Sequence, residues 1–94
     1  MGDAISLGDA VKKFLETSRI KQQIQSLSVE DHWEKIMGKT ISNYTERIEI
    51  RNKTLFIYTN VAPLKNELVF QKDLIIQRVN EQMGEDTINE VVVA

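Results

Sequence analysis

Residues 47–59, which read RIEIRNKTLFIYT, decide the fold class of this chain of 94 residues. Apolar and charged residues alternate over 47–51, and 54–59 is rich in the β-branched and aromatic residues that favour strands. Asn52 and Lys53 lie between the two runs and supply turn chemistry. The segment therefore predicts a β-hairpin with Asn52-Lys53 as its loop.

The position of the loop decides which side chains share a face, because a strand points successive side chains to opposite sides. The core side of the predicted hairpin pairs Ile50 with Leu55 and Ile48 with Ile57. The other side pairs Arg47 with Tyr58 and Glu49 with Phe56. The hairpin thus has one apolar face and one face that carries charges and aromatic rings.

Helical periodicity precedes the hairpin. Ser6 is a good N-cap for a first helix, whose apolar face carries Leu7, Ala10, Val11, Phe14 and Leu15. Residues 19–27 are predicted to form a second, short helical piece. Ser28 repeats the capping signal for a third helix that runs to Tyr44, and Gly38 inside it predicts a bend or a close approach of another backbone.

Helical and strand signals also follow the hairpin. Asn60 is predicted to cap a long helix that tolerates Pro63 in its first turn and ends at Gly84. Residues 88–93 are predicted to form a strand at the edge of the hairpin sheet, because the connection that precedes them is short.

The order of these elements predicts an α+β fold. N-terminal helices are followed by a β-hairpin, a long helix and a third strand, and the helices pack on one face of a small three-stranded sheet. We expect a single domain over residues 1–94, of which residues 1–5 are flexible. The predicted core contains Trp33, Ile36, Ile48, Ile50, Leu55, Ile57, Leu68 and Ile75.

Composition narrows the possible functions. The sequence contains no cysteine, no secretory signal and no apolar run of membrane length, which predicts a cytoplasmic protein without disulfides or membrane contact. His32 is the only histidine, so no metal site is predicted. No nucleophile and base form a convincing set, and Gly38-Lys39-Thr40 lacks the first glycine of a phosphate-binding loop. We therefore predict that the chain is not an enzyme and uses no cofactor or small-molecule substrate.

Basic residues are concentrated in two segments, although the net charge of the chain is −2. The candidate nucleic-acid contacts are Lys12, Lys13, Arg19 and Lys21 before the hairpin, and Arg47, Arg51, Lys53, Phe56 and Tyr58 within it. Arginines among aromatic rings on an open sheet are typical of surfaces that hold phosphates and stack bases. The alternative is that the N-terminal helix packs over Phe56 and Tyr58 and buries both rings. With few phosphate contacts, binding of single- or double-stranded DNA is expected to be weak.

Several stretches, taken together, resemble the DciA (Dna[CI] antecedent) family. They are SLGDAVKKFL at 6–15, WEKIMGKTI at 33–41 with Tyr44-Thr45, IRNKTLFI at 50–57, and Asn66-Glu67-Leu68. The spacing from Trp to Gly, followed by Thr, the hairpin and Glu-Leu in this order, is the specific part of the resemblance. It covers nearly the whole chain.

The resemblance implies a KH-like fold, binding to DNA, assistance in placing the replicative helicase on DNA, and no ATPase activity. This sequence has Val61-Ala62-Pro63-Leu64 where many relatives have a second tryptophan, and it ends at Ala94 where many continue into a basic, flexible extension. It also lacks the Gly-x-x-Gly loop with which KH domains clamp RNA. The predicted function is a non-enzymatic nucleic-acid-binding adaptor of the replicative helicase. The alternative is a protein-binding module, which could be homodimeric, without nucleic-acid binding.

Overall fold

A helix of 25 residues, α1 (Leu7–Asp31), opens the computed structural model, which describes residues 6–94. The expected flexibility of residues 1–5 lies outside the described residues. Ser6 is the predicted N-cap, and its hydroxyl accepts a hydrogen bond from the Asp9 amide at 3.1 Å. The predicted division into two helical pieces before Ser28 is wrong, because no glycine or proline interrupts residues 9–31. Ser28 lies inside α1, and its hydroxyl donates to the Met83 sulfur at 3.6 Å.

Two short helices follow, α2 (Trp33–Met37) and α3 (Lys39–Tyr44). The bend predicted at Gly38 is confirmed, since this residue joins them with φ 90° and ψ 164°. Only glycine adopts such a conformation without strain.

The hairpin is confirmed with its predicted register. Strands β1 (Arg47–Arg51) and β2 (Thr54–Tyr58) are antiparallel, with Ile50 opposite Leu55, Ile48 opposite Ile57, Arg47 opposite Tyr58 and Glu49 opposite Phe56. Asn52 and Lys53 form the loop with φ values of 50° and 61°. Positive φ at both loop residues is the geometry that matches the twist of the two strands.

The C-terminal part contains α4 (Ala62–Phe70), α5 (Lys72–Met83) and β3 (Glu90–Val93). The predicted long helix is therefore interrupted at Gln71, although it ends at Gly84 as expected, in a left-handed conformation with φ 76°. The predicted capping role of Asn60 is wrong. Val61 occupies the N-cap position, and the Asn60 amide donates to the Glu46 carboxylate instead.

Strand β3 pairs in parallel with β2, which gives the sheet order β1-β2-β3 and confirms both the edge position of the third strand and the α+β class. The inner side of the sheet contributes to one cluster of buried apolar side chains. This cluster contains the eight residues of the predicted core, Trp33, Ile36, Ile48, Ile50, Leu55, Ile57, Leu68 and Ile75, and also Val29, Met37, Val79, Ile88 and Val91.

Buried polar groups connect the helices to the sheet. The Trp33 indole N–H donates to the Thr45 hydroxyl at 3.0 Å, and the Thr59 hydroxyl donates to the Tyr44 carbonyl at 2.7 Å. The Asn80 side chain contacts the loop before β3, accepting from the Ile88 amide at 3.0 Å and donating to its carbonyl at 2.9 Å. These bonds fix α3 and α5 against the ends of the strands, so that the outer face of the hairpin has a rigid support.

Candidate nucleic-acid interface

The outer face of the hairpin carries two arginine–aromatic pairs. The Arg47 guanidinium carbon lies 4.2 Å from the centroid of the Tyr58 ring, and that of Arg51 lies 4.3 Å from the centroid of the Phe56 ring. Both distances are within the range of cation–π attraction. Both rings are half-buried, whereas both arginines are exposed. The face therefore presents guanidinium planes that rest on aromatic rings.

Glu49 lies between the two arginines on the same face of β1. Its Oε1 is 3.3 Å from Nε of Arg51, which forms an ion pair in contact with solvent. Such exposed pairs contribute little to stability. The pair does reduce the positive potential of the face, because a carboxylate lies next to one of the two guanidinium groups that would hold phosphate.

Helix α1 runs beside the free edge of β1. The Ser26 hydroxyl accepts a hydrogen bond from the Ile50 amide at 2.8 Å, which satisfies an edge donor that β2 cannot reach. Between α1 and β1 lies an open groove of about 880 Å³. Arg19 from the helix and both hairpin arginines, Arg47 and Arg51, line this groove.

The first half of α1 does not cover the outer face of the sheet. Phe14 is 69% exposed and Leu15 is 53% exposed, and both border the groove. The rings of Phe56 and Tyr58 lie under the two hairpin arginines, and neither ring lines the groove that α1 borders. The outer face is thus an open surface on which the side chains of Arg47 and Arg51 cover the aromatic rings.

The structure divides the nine predicted contacts into three groups. Arg19, Arg47 and Arg51 line the groove between α1 and β1, and Phe56 and Tyr58 lie beneath the two hairpin arginines without lining it. Lys21 and Lys53 line a second groove, together with Glu85 and Asp86. Lys12 and Lys13 are exposed on the first half of α1.

The spacing within α1 separates Lys13 and Lys21 from Arg19, because successive helical residues are offset by about 100°. Lys12 and Arg19 are seven residues apart and share a side of the helix, whereas Lys13 and Lys21 point to other sides. The predicted contacts therefore do not form one continuous basic strip. The arginine group at the groove is the part that is both basic and aromatic.

Two features of this surface were not predicted from the sequence. One is the pairing of Glu49 with Arg51, for which the neighbouring positions i and i+2 of a strand were an available signal. The other is the free first half of α1, which no local signal in the sequence indicated. In the described part of the chain, no three histidine, aspartate or glutamate side chains lie close enough together to hold a metal ion. Among residues 6–94, no helix combines the length and the apolar character that crossing a membrane requires.

Comparison with known protein families matches residues 6–93 to the family described as "Dna[CI] antecedent, DciA". The chain belongs to the DciA family. This family consists of non-catalytic adaptors associated with the replicative helicase, so a role in replication fits the chain. Comparison with curated proteins gave no match.

Proposed function

We propose that this DciA-family chain is a non-enzymatic, cytoplasmic adaptor that serves the replicative helicase and binds DNA weakly through the groove between α1 and β1. The observation that carries the DNA-binding part is the pair of exposed guanidinium groups stacked on Tyr58 and Phe56. Arg19 adds a third positive charge across the groove. Three arginines and two glutamates, Glu30 and Glu49, line this groove, which leaves one net positive charge there on a chain whose net charge is −2.

The mode of binding follows from the position of the arginines above the rings. A base that stacked directly on Phe56 or Tyr58 would have to displace an arginine, which costs about 0.5–1 kcal/mol at an exposed site. A base that stacks on the guanidinium plane displaces nothing, and phosphate can accept hydrogen bonds from the same group. We therefore expect the arginines to make the direct contacts and the rings to hold them in place. Single-stranded DNA, whose bases are free to stack, is the preferred ligand in this arrangement.

A comparison of two single variants tests this mode. Arg51→Lys keeps the charge but removes the planar group, whereas Phe56→Leu keeps an apolar side chain under Arg51. If the guanidinium stacks on a base, Arg51→Lys weakens binding of single-stranded DNA more than binding of double-stranded DNA, and Phe56→Leu has a smaller effect on both. Equal losses for both forms of DNA would mean that Arg51 acts only as a point charge.

The helicase part of the proposal rests on membership of the family. The test is recovery of the replicative helicase from nuclease-treated extracts of the source organism with a tagged, full-length chain. Recovery is expected to survive nuclease treatment, because an adaptor contacts the helicase directly. Failure to recover the helicase under conditions in which the chain remains folded would contradict this part and leave the DNA-binding part to its own test.

One observation favours a second candidate function, a protein-binding module without nucleic-acid binding. The first half of α1 exposes a row of large apolar side chains, including Phe14, and such patches mark protein–protein contacts more often than nucleic-acid contacts. The negative net charge and the position of Glu49 also favour this candidate. If the chain does not bind DNA at low salt but still recovers the helicase, the result supports this second candidate function.

A further inference from the structure

The groove between α1 and β1 has an aromatic ring on its helix side that is not among the nine predicted contacts. Phe14 lines this groove together with the three arginines, and it is 69% exposed. Phenylalanine is one of the residue types most often buried, so a ring this exposed at a groove needs an explanation. Among residues 6–94, Phe14 is the only aromatic side chain that lines the groove. It is therefore the ring that a ligand in the groove can reach.

Only part of the exposed apolar surface of α1 belongs to this groove. Every residue from 6 to 17 is exposed, including the large apolar side chains of Leu7, Val11, Phe14 and Leu15. Leu7 and Val11 do not line the groove, whereas Phe14 and Leu15 do. These two side chains share the groove with guanidinium groups. A ligand that suits both kinds of side chain carries negative charge and a flat apolar surface.

We propose that Phe14 is the base-stacking residue of the groove. An unpaired base of a single strand lies against its ring, while the arginines of β1 contact the same strand from the other wall. An exposed aromatic ring beside groove cations is the arrangement by which proteins bind single-stranded nucleic acid without sequence preference. A base inside a duplex is covered on both faces by its neighbours, so the ring can reach only an unpaired base. This inference rests on the proposed DNA binding and adds to it a residue that selects single strands.

The charge of the groove explains why stacking matters there. Glu30 and Glu49 line the groove with the three arginines and leave one net positive charge. Attraction of phosphate by so small a charge is weak and is screened by salt. A stacked base raises affinity by roughly 5- to 150-fold and depends less on salt. Amide side chains of Gln23 and Asn52 also line the groove and can bond to the edge of an unpaired base.

Two labelled strands of equal length test the role of the ring. One is oligothymidylate, and the other has abasic sites in place of the bases, so that both carry the same phosphates. Phe14→Leu keeps an apolar side chain but removes the ring, and Phe70→Leu is the matched control. Phe70 is 87% exposed at the end of α4 and does not line the groove. Neither change removes a buried side chain, so both variants are expected to stay folded.

At low salt, Phe14→Leu is expected to weaken binding of oligothymidylate at least fivefold and to leave binding of the abasic strand unchanged. Phe70→Leu should bind both strands as the wild type does. The slope of log affinity against log salt is expected to be the same for Phe14→Leu and the wild type, because the ring contacts no phosphate. A shallower slope for Phe14→Leu would mean that the ring acts by holding an arginine, which would overturn the proposal.

A fluorescent reporter tests the contact directly. Phe14→Trp places an indole in the groove, and the only native tryptophan, Trp33, is 3% exposed and cannot touch a ligand. Saturation with oligothymidylate is expected to quench the emission of the new indole, because a base stacks on it, and saturation with the abasic strand is not. Equal emission with both strands would contradict stacking.

The possible failures can be told apart. If the wild type binds neither strand, the proposed DNA binding and this inference fail together. If the wild type binds oligothymidylate and the loss of the three arginines abolishes that binding, but Phe14→Leu binds as the wild type does, only the stacking role fails. If Phe14→Leu binds DNA normally but no longer recovers the helicase, the ring belongs to a protein contact and the stacking role is wrong.

Discussion

At the level of single residues, Glu49 sets the charge of the candidate DNA-binding face. The carboxylate lies 3.3 Å from Nε of Arg51 and competes with any phosphate for that guanidinium. An exposed ion pair of this kind is worth less than about 1 kcal/mol. Releasing Arg51 from this ion pair is therefore expected to have a limited but measurable effect on the affinity for DNA.

Glu49→Gln is expected to raise the affinity for DNA about two- to fivefold at low salt, because it removes one negative charge and frees Arg51. Glu34→Gln is the matched control, since Glu34 is exposed on α2 and away from the groove. It removes the same charge and should change the affinity by less than Glu49→Gln. A fluorescence anisotropy titration with labelled single-stranded DNA measures both. An unchanged or lower affinity for Glu49→Gln would mean that Arg51 does not contact DNA.

Trp33 serves the fold in two ways. Its ring is 3% exposed within the core cluster, and its indole N–H donates to the Thr45 hydroxyl. Trp33→Ala is expected to lower the free energy of unfolding by about 3–5 kcal/mol, enough to unfold a marginal domain. Trp33→Phe keeps most of the buried area but loses the hydrogen bond, and should cost less. Urea denaturation measures both, and an equally stable Trp33→Ala variant would show that the ring does not support the core.

At the level of elements, the hairpin was predictable from the sequence in full detail. Apolar and charged residues alternate strictly over 47–51. With a two-residue loop, only one register buries Ile48 and Ile50 together. The helices were less predictable. Ser28 has the residue type of an N-cap, yet a serine that follows a helix-forming stretch without glycine or proline does not end it. The break at Gln71 has no glycine or proline to announce it, and nothing in the structure explains it.

Gly38 is the residue on which the separation of α2 from α3 depends. Its φ of 90° and ψ of 164° belong to a region that residues with a side chain avoid, and no atom lies within 4 Å of an added Cβ. Gly38→Ala is therefore expected to cost about 1–3 kcal/mol through backbone strain alone. Gly84→Asn is the comparison, because Gly84 has φ 76° and ψ 11°, which asparagine tolerates. The midpoint temperature of thermal unfolding should be clearly lower for Gly38→Ala than for Gly84→Asn. The reverse order would contradict the assigned backbone geometry.

At the level of the whole molecule, α1 determines the shape. The described residues extend over 59 × 25 × 20 Å, with a radius of gyration of 16.3 Å, whereas a compact domain of this length has about 12 Å. The sequence predicted an amphipathic first helix correctly. It could not indicate that the helix projects from the sheet, because an apolar row shows that cover is needed but does not show which surface supplies it.

The hairpin part of the candidate site was predictable from the sequence, as the hairpin itself was. The register of the hairpin placed Arg47, Arg51, Phe56 and Tyr58 on one face, and the structure brings each arginine over a ring. The assignment of the α1 residues was less complete, since Lys13 and Lys21 point away from Arg19. Which residues of a helix reach a groove depends on how the helix is rotated against the sheet, and that rotation is set by the packing of the whole core.

The central claim, that the arginine group at the groove binds DNA, is tested most directly by a titration with a charge-matched control. The first variant replaces Arg19, Arg47 and Arg51 with alanine, and the control replaces Lys35, Lys39 and Lys65, which lie on α2, α3 and α4. Both remove three positive charges, so that a general change in net charge affects them equally. Labelled DNA is titrated with each protein at low salt, after circular dichroism has shown that each is folded.

We expect the wild type to bind at tens of micromolar protein, with an affinity that falls steeply as salt is added. The arginine variant should bind at least tenfold more weakly, and the lysine control should stay within about threefold of the wild type. Absence of binding by the wild type, or an equal loss for the two variants, would contradict the claim.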